Sequence, residues 1–341
     1  MYLNGSYNFN ECFGLVKSKK SINDIKHEVH PISSLSIKGK TIIVLCGNNT
    51  KNPEKASSYA TTCINWLDGC TNQQDVTVYS IFYPKNQPLH TGLILNRTFN
   101  YDQLAQTIFE QLFFKNGELL STAQIMENLG NVTFFGHSIG GHVMNELMYS
   151  LEKAMKRFNF TLPEITRIFS SIVFIGYSPF KLVDYPTKNI YIAPLYDSAG
   201  SAKLCIDKMK RKRILFSSNP NFNLEEMHNL KADSHFNYIK QIKAYTNNDN
   251  IVYLMNNNTI VAIPNLLFDD GKQEDHNLAG VIPRHDSNSY KTHAGEITTN
   301  FMSYLLELSV FENRKKLDIS NLYDEILYFN QISNTKGATN G

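Results

Sequence analysis

A chain of 341 residues with 42% hydrophobic content is long enough for one large domain carrying a lid or an insertion. Its 33 basic and 31 acidic residues leave a net charge of +2, so no global field selects nucleic acid or anionic substrates. The first twenty residues lack the pattern of a cleaved signal and no stretch reaches the length of about eighteen apolar residues that spans a membrane, so a cytoplasmic setting is expected, or export without a cleavable signal.

Cys12, Cys46, Cys63, Cys70 and Cys205 form an odd set without metal-like spacing, which suits reduced thiols. Residues 1–40 are mostly polar and are expected to form an N-terminal extension. The core is expected over 41–310, with a lid or insert within 195–250 and a C-terminal extension at 311–341. It opens with the continuous apolar run Thr41 to Cys46, which reads as a strand buried on both faces of a parallel sheet. Val76 to Tyr83 is a second such run, and Leu104, Ile108, Leu112 and Phe113 then recur at helical spacing.

Ser121 with Gln124 three residues on predicts a capping box, and Gly130 closes the short helix before a strand at 131–135. Beyond the glycine-rich turn at 136–141, apolar positions from Val143 to Phe158 follow the three-four spacing of an amphipathic helix. Further strands are expected at 171–175 and 190–193. The run 251–255 and the run 259–263 flank three asparagines, read either as a hairpin turn or as a strand end bearing a site. Helical spacing returns at Phe301, Leu305, Leu308 and Val310. Alternating strands and helices with short connections predict an α/β fold: a mainly parallel sheet with helices on both faces.

Gly136-His137-Ser138-Ile139-Gly140-Gly141 lies between a predicted strand and a predicted helix, the context that gives a G-x-S-x-G sequence its meaning. A sharp reversal there forces the serine into a strained backbone conformation and pushes it above the sheet edge. The helix that follows points its unpaired amides and its positive end at the same place, making the Ile139 N–H a candidate oxyanion donor. His137 reads as part of the turn, and His142 as packing.

These residues resemble the α/β-hydrolase superfamily, its lipases, esterases and thioesterases, over roughly 41–310. The resemblance implies a nucleophile elbow at Ser138, a catalytic triad without a cofactor, and cleavage of an ester or thioester through an acyl-enzyme. A second oxyanion donor is implied after the first core strand, where the sequence is Leu45-Cys46-Gly47-Asn48; Asn48 N–H is the candidate, with Cys46 in place of the usual histidine. The family order of nucleophile, acid and histidine puts the base ahead of the last helix. His293 fits that place; His285 and His235 are the other contenders.

Two placements compete for the acid. Asp197 follows the strand at 190–193, whereas the segment 251–261 resembles an acid-bearing strand and turn with Asn258 where an aspartate is expected. Asp270, beside Asp269, could substitute for it, and the ranking is Asp197, Asp270, Asn258. Asp269, Asp270, Glu274, Asp275, His276, His285, Asp286 and His293 also form a dense set of metal-ligand types, though without helix or finger spacing. Two rival functions follow: a metal-dependent hydrolase using 269–293, and a non-catalytic binding protein that keeps the hydrolase fold. Aromatic content of 12%, with 21 Phe and 18 Tyr, is compatible with an apolar acyl pocket for a lipid ester, and the basic stretch 208–213 with peripheral membrane contact.

Overall fold

The computed structural model describes residues 13–20, 24–47, 50–68, 70, 75–83, 101–177, 181–194, 216–217, 251–255, 258–263, 302–303 and 305–311. At its centre, β3 (Thr41–Leu45), β4 (Thr77–Phe82), β7 (Val132–His137) and β8 (Val173–Tyr177) are buried at every position. Runs of β-branched and aromatic residues with no polar face are stable only when both sides of the sheet are covered.

A hairpin of β1 (Gly14–Lys20) and β2 (Ile25–Pro31) sits at one edge, and β9 (Lys188–Pro194), β10 (Phe216–Ser217), β11 (Ile251–Met255) and β12 (Asn258–Ile263) complete the other side. The order is β10-β11-β12-β9-β8-β7-β3-β4-β1-β2, with β5 (Phe114–Lys115) and β6 (Glu118–Leu119) forming a separate small pair. From β12 to β4 all neighbours run parallel, while β10, β11, β1 and β2 attach antiparallel. The result is an α/β fold with a mixed, mostly parallel sheet.

The helices are α1 (Pro53–Leu67), α2 (Asp102–Phe113), α3 (Thr122–Leu129), α4 (Gly140–Arg157) and α5 (Leu162–Ser170). Connection handedness assigns their faces. The chain moves one way from β3 through α1 to β4, then the other way from β4 through α2 to β7 and through α4 and α5 to β8. Right-handed crossovers therefore put α1 on one face and α2 and α4 on the other. Side chains agree: Phe135 meets Trp66 of α1 edge-on at 5.3 Å, and Thr133, two residues earlier on the same side of β7, donates to the Ser309 carbonyl at 3.2 Å. Ser309 belongs to the π-helical turn Glu307–Phe311, which continues helical residues at 302–303 and 305–306.

Three helices begin where a side chain satisfies the first free amides. Asn52 accepts from the Lys55 N–H with Pro53 at the first helical position; Ser121 and Thr161 form reciprocal capping boxes with Gln124 and Glu164. The Ser121 box is as the sequence predicts. Within the expected N-terminal extension, the described residues join the sheet: β1 pairs with β4, and Phe13, Leu15 and Val16 lie in the core. Among the described residues no helix is long and apolar enough to cross a membrane. Cys46, Cys63 and Cys70 are buried and free, while Cys12 and Cys205 lie outside the described residues.

Candidate functional site

The site is built where the parallel strands end together. Leu45 of β3 pairs with Gly136, Gly136 with Gly176, and Tyr177 with Ile192, so the C-terminal ends of β3, β7, β8 and β9 are level. These ends lie along one edge of the sheet, and Ser138 stands there, directly after β7.

Ser138 has φ of 54°, in the left-handed region that costs an L-residue about 1–2 kcal/mol. Three constraints hold it. Its amide donates to the Tyr177 carbonyl of β8 at 3.0 Å. A Cβ on Gly140 would stand 2.5 Å from the Leu45 carbonyl oxygen, and one on Gly141 would stand 2.0 Å from that of Lys181. Glycine is needed at both places because backbone from β3 and from the segment after β8 closes on the start of α4. Asn145 reinforces the second contact: its amide donates to Leu182 O at 2.9 Å and to Gly141 O at 3.1 Å, and its Oδ1 accepts from the Asp184 N–H at 2.8 Å.

Ser138 is 4% exposed. Ile139 is the N-cap of α4, with no side-chain cap and no acidic residue in the first turn, and its carbonyl accepts from His142 and Val143. The helix's positive end is thus not neutralised by a side chain of its own first turn.

His137 is buried, and its Nδ1 lies 2.7 Å from the Tyr59 hydroxyl on α1, so the ring turns to the α1 face as expected of a turn residue. His142 is buried with its ring edge-on to Tyr101 at 6.3 Å, a packing arrangement. Cys46, at the end of β3, is fully buried, and desolvation holds its thiol well above the ordinary range. It packs as a small apolar side chain. The Tyr83 hydroxyl donates to the Cys46 carbonyl at 2.5 Å, and the Tyr83 amide donates to Thr50 O at 2.9 Å.

Asn48, Asp197, His293, His285, His235, Asp269 and Asp270 lie outside the described residues. The strands that lead to several of them are described. β9 ends at Pro194 and β12 at Ile263, both running parallel to β7, so the chain leaves each at the edge where Ser138 stands.

Asn258 is different. It opens β12, opposite Met255 across the β11–β12 hairpin, and is in register through Asn189 and Phe174 with Phe134. That places it roughly 13 Å along the strands and roughly 14 Å across them from Ser138. As the first residue of a parallel strand, Asn258 stands at the edge of the sheet opposite the one where Ser138 lies.

Among the described residues no group of three or more His, Cys, Asp and Glu side chains is arranged to hold a metal ion. A groove of about 630 Å³ lies between α2 and α4, lined by Phe109, Phe114, Phe158, Lys153 and Arg157 among others. Its α4 residues, from Ser150 onward, are about 15 Å along the helix from the Ser138 turn, so the groove does not reach the serine.

No family model matches the chain, and no curated protein matches it. Among solved structures, a feruloyl esterase named FAE is similar at 15% sequence identity with a TM-score of 0.29, the match covering 64% of this chain and 79% of that one.

Proposed function

We propose that the chain is a serine hydrolase that cleaves a carboxylic ester or thioester, with Ser138 as nucleophile. The observation that carries the reading is the backbone of Ser138: a non-glycine residue held at φ 54° between a buried strand and an uncapped helix N-terminus. Strain of this kind persists only where surrounding contacts enforce it, and its use in a nucleophile elbow is to lift the hydroxyl clear of the sheet.

In the proposed cycle His293 takes the Ser138 hydroxyl proton as Oγ bonds to the carbonyl carbon. Amides of Ile139 and Asn48 hold the oxyanion, and His293 returns the proton to the leaving alcohol or thiol as the acyl-enzyme forms. Water then repeats the sequence and releases the acid. Asp197 is the proposed partner of His293; the level of the β9 end with Ser138 supports it, because only two residues separate Pro194 from Asp197.

A fluorophosphonate probe tests the reading. Covalent labelling of the wild type, mapped by mass spectrometry to Ser138 and absent in Ser138→Ala, is the expected result. A wild type that stays unlabelled would favour the non-catalytic binding protein.

A further inference from the structure

We infer that Tyr59 is a positioning residue, which locks the exit of β3 to the Ser138 turn through one hydroxyl shared by Gly47 and His137; the inference rests on the serine-hydrolase reading. Tyr59 projects from α1, an element that belongs to neither strand. Its hydroxyl accepts from the Gly47 N–H at 3.2 Å and lies 2.7 Å from His137 Nδ1. The Thr50 side chain also bonds the phenol, and which of the hydroxyl and Nδ1 donates in the shared contact follows the imidazole tautomer. Burial, with Cys46 adding to it, pushes the Tyr59 phenol above its ordinary range, which favours its protonated form.

Space as well as hydrogen bonding makes the three groups one unit. A Cβ at position 47 would stand 2.4 Å from His137 Nδ1 and 2.7 Å from the Tyr59 oxygen. Gly47 is therefore a glycine of close approach, and its backbone is the surface on which the histidine and the phenol meet. On its other side the same stretch is held by Tyr83, which bonds Cys46 O and Thr50 O, and by the Thr50 N–H donating to Gly47 O at 3.4 Å. Tyr83 fixes the stretch to the end of β4. Tyr59 instead fixes it to the residue immediately before the nucleophile, and so sets the spacing between the β3 exit, which supplies an oxyanion donor in the proposed mechanism, and Ser138 Oγ. An error of about 1 Å in such a spacing costs on the order of 10²-fold in rate.

The test is a double-mutant cycle of Tyr59→Phe and His137→Gln, read by kcat and KM on p-nitrophenyl esters beside thermal melts. The expected result is a loss of about 10–100-fold in kcat for each single variant, with KM changed by less than about threefold, and little further loss in the double variant. Because the ring stays in place, Tyr59→Phe is expected to remain folded; should it not, His137→Gln alone must show the kcat loss at unchanged KM. A folded Tyr59→Phe with wild-type kcat, or additive losses in the double variant, overturns the inference and leaves the nucleophile standing. A wild type that hydrolyses no ester and takes no fluorophosphonate overturns the serine-hydrolase reading and this inference together.

Discussion

The amide of Ser138 donates to the carbonyl of Tyr177 at 3.0 Å, a strand-to-strand bond that continues past the end of β7 and holds the serine in the left-handed region. Strain kept there by neighbours separates a stability role from a chemical one. Ser138→Gly is expected to raise stability by about 1 kcal/mol and to remove ester hydrolysis, whereas Ser138→Ala removes hydrolysis with no gain in stability. Urea unfolding midpoints beside a p-nitrophenyl ester assay check both. A less stable glycine variant would mean that the hydroxyl holds the turn together.

Replacement of His293 by Ala is expected to lower kcat/KM on the order of 10⁴-fold, and Asp197→Asn by a comparable amount, while His285→Ala and His235→Ala stay within about threefold of the wild type. Steady-state kinetics on one ester substrate decides among the histidines. If the large loss falls on His285, the base is reassigned and the nucleophile is untouched.

Because the proposed triad supplies every charge the reaction needs, activity is expected to survive extended dialysis against EDTA. Loss of turnover that added zinc restores would instead assign the chemistry to the Asp and His residues of 269–293.

Asn145→Ala is expected to destabilise the fold by about 2–4 kcal/mol. It leaves the Leu182 carbonyl and the Asp184 amide without the partner that ties the post-β8 segment to α4. Chemical denaturation measures the loss, and a change under about 0.5 kcal/mol would show that water replaces the side chain there.

His27 gives the fold a pH dependence. Its ring lies between Ser18 Oγ at 2.7 Å and Thr61 Oγ1 at 3.4 Å, and burial holds its pKa below the ordinary 6.5, against a smaller opposing pull from Asp24. The unfolded chain therefore takes up this proton first as pH falls. The His27 contribution is complete above 6.5 and is lost as pH drops from there through the lower folded value. His27→Gln is expected to flatten that part of the stability profile, measured by melting temperature between pH 7 and 5.

Elements with unbroken patterns were readable in advance. β3, β7, α2 and α4 each carry a run or a stripe long enough to admit one structure, and Ser138 falls between two of them. The β1–β2 hairpin was not readable, because Lys17, Lys19, Lys26 and Glu28 break up the apolar signal, as is common at a sheet edge. Helix α1 was missed for another reason. It packs on the sheet largely through small residues such as Ala56, Ala60 and Cys63, so its only strong marker is the Asn52-Pro53 start. With α1 went Tyr59, whose neighbours are 12 and 78 positions away in sequence. For the acid the sequence ranks Asp197, then Asp270, then Asn258; that Asn258 opens its strand at the edge away from Ser138 depends on β12 pairing parallel to β9, which no local pattern shows.

The bond from Thr133 to Ser309 spans 176 positions of the chain. At translation speeds of about 5–20 residues per second, residue 309 leaves the ribosome's catalytic centre roughly 9–35 s after residue 133. Throughout that interval the α1-side of β7, with Phe135 beside Thr133, lacks its final cover.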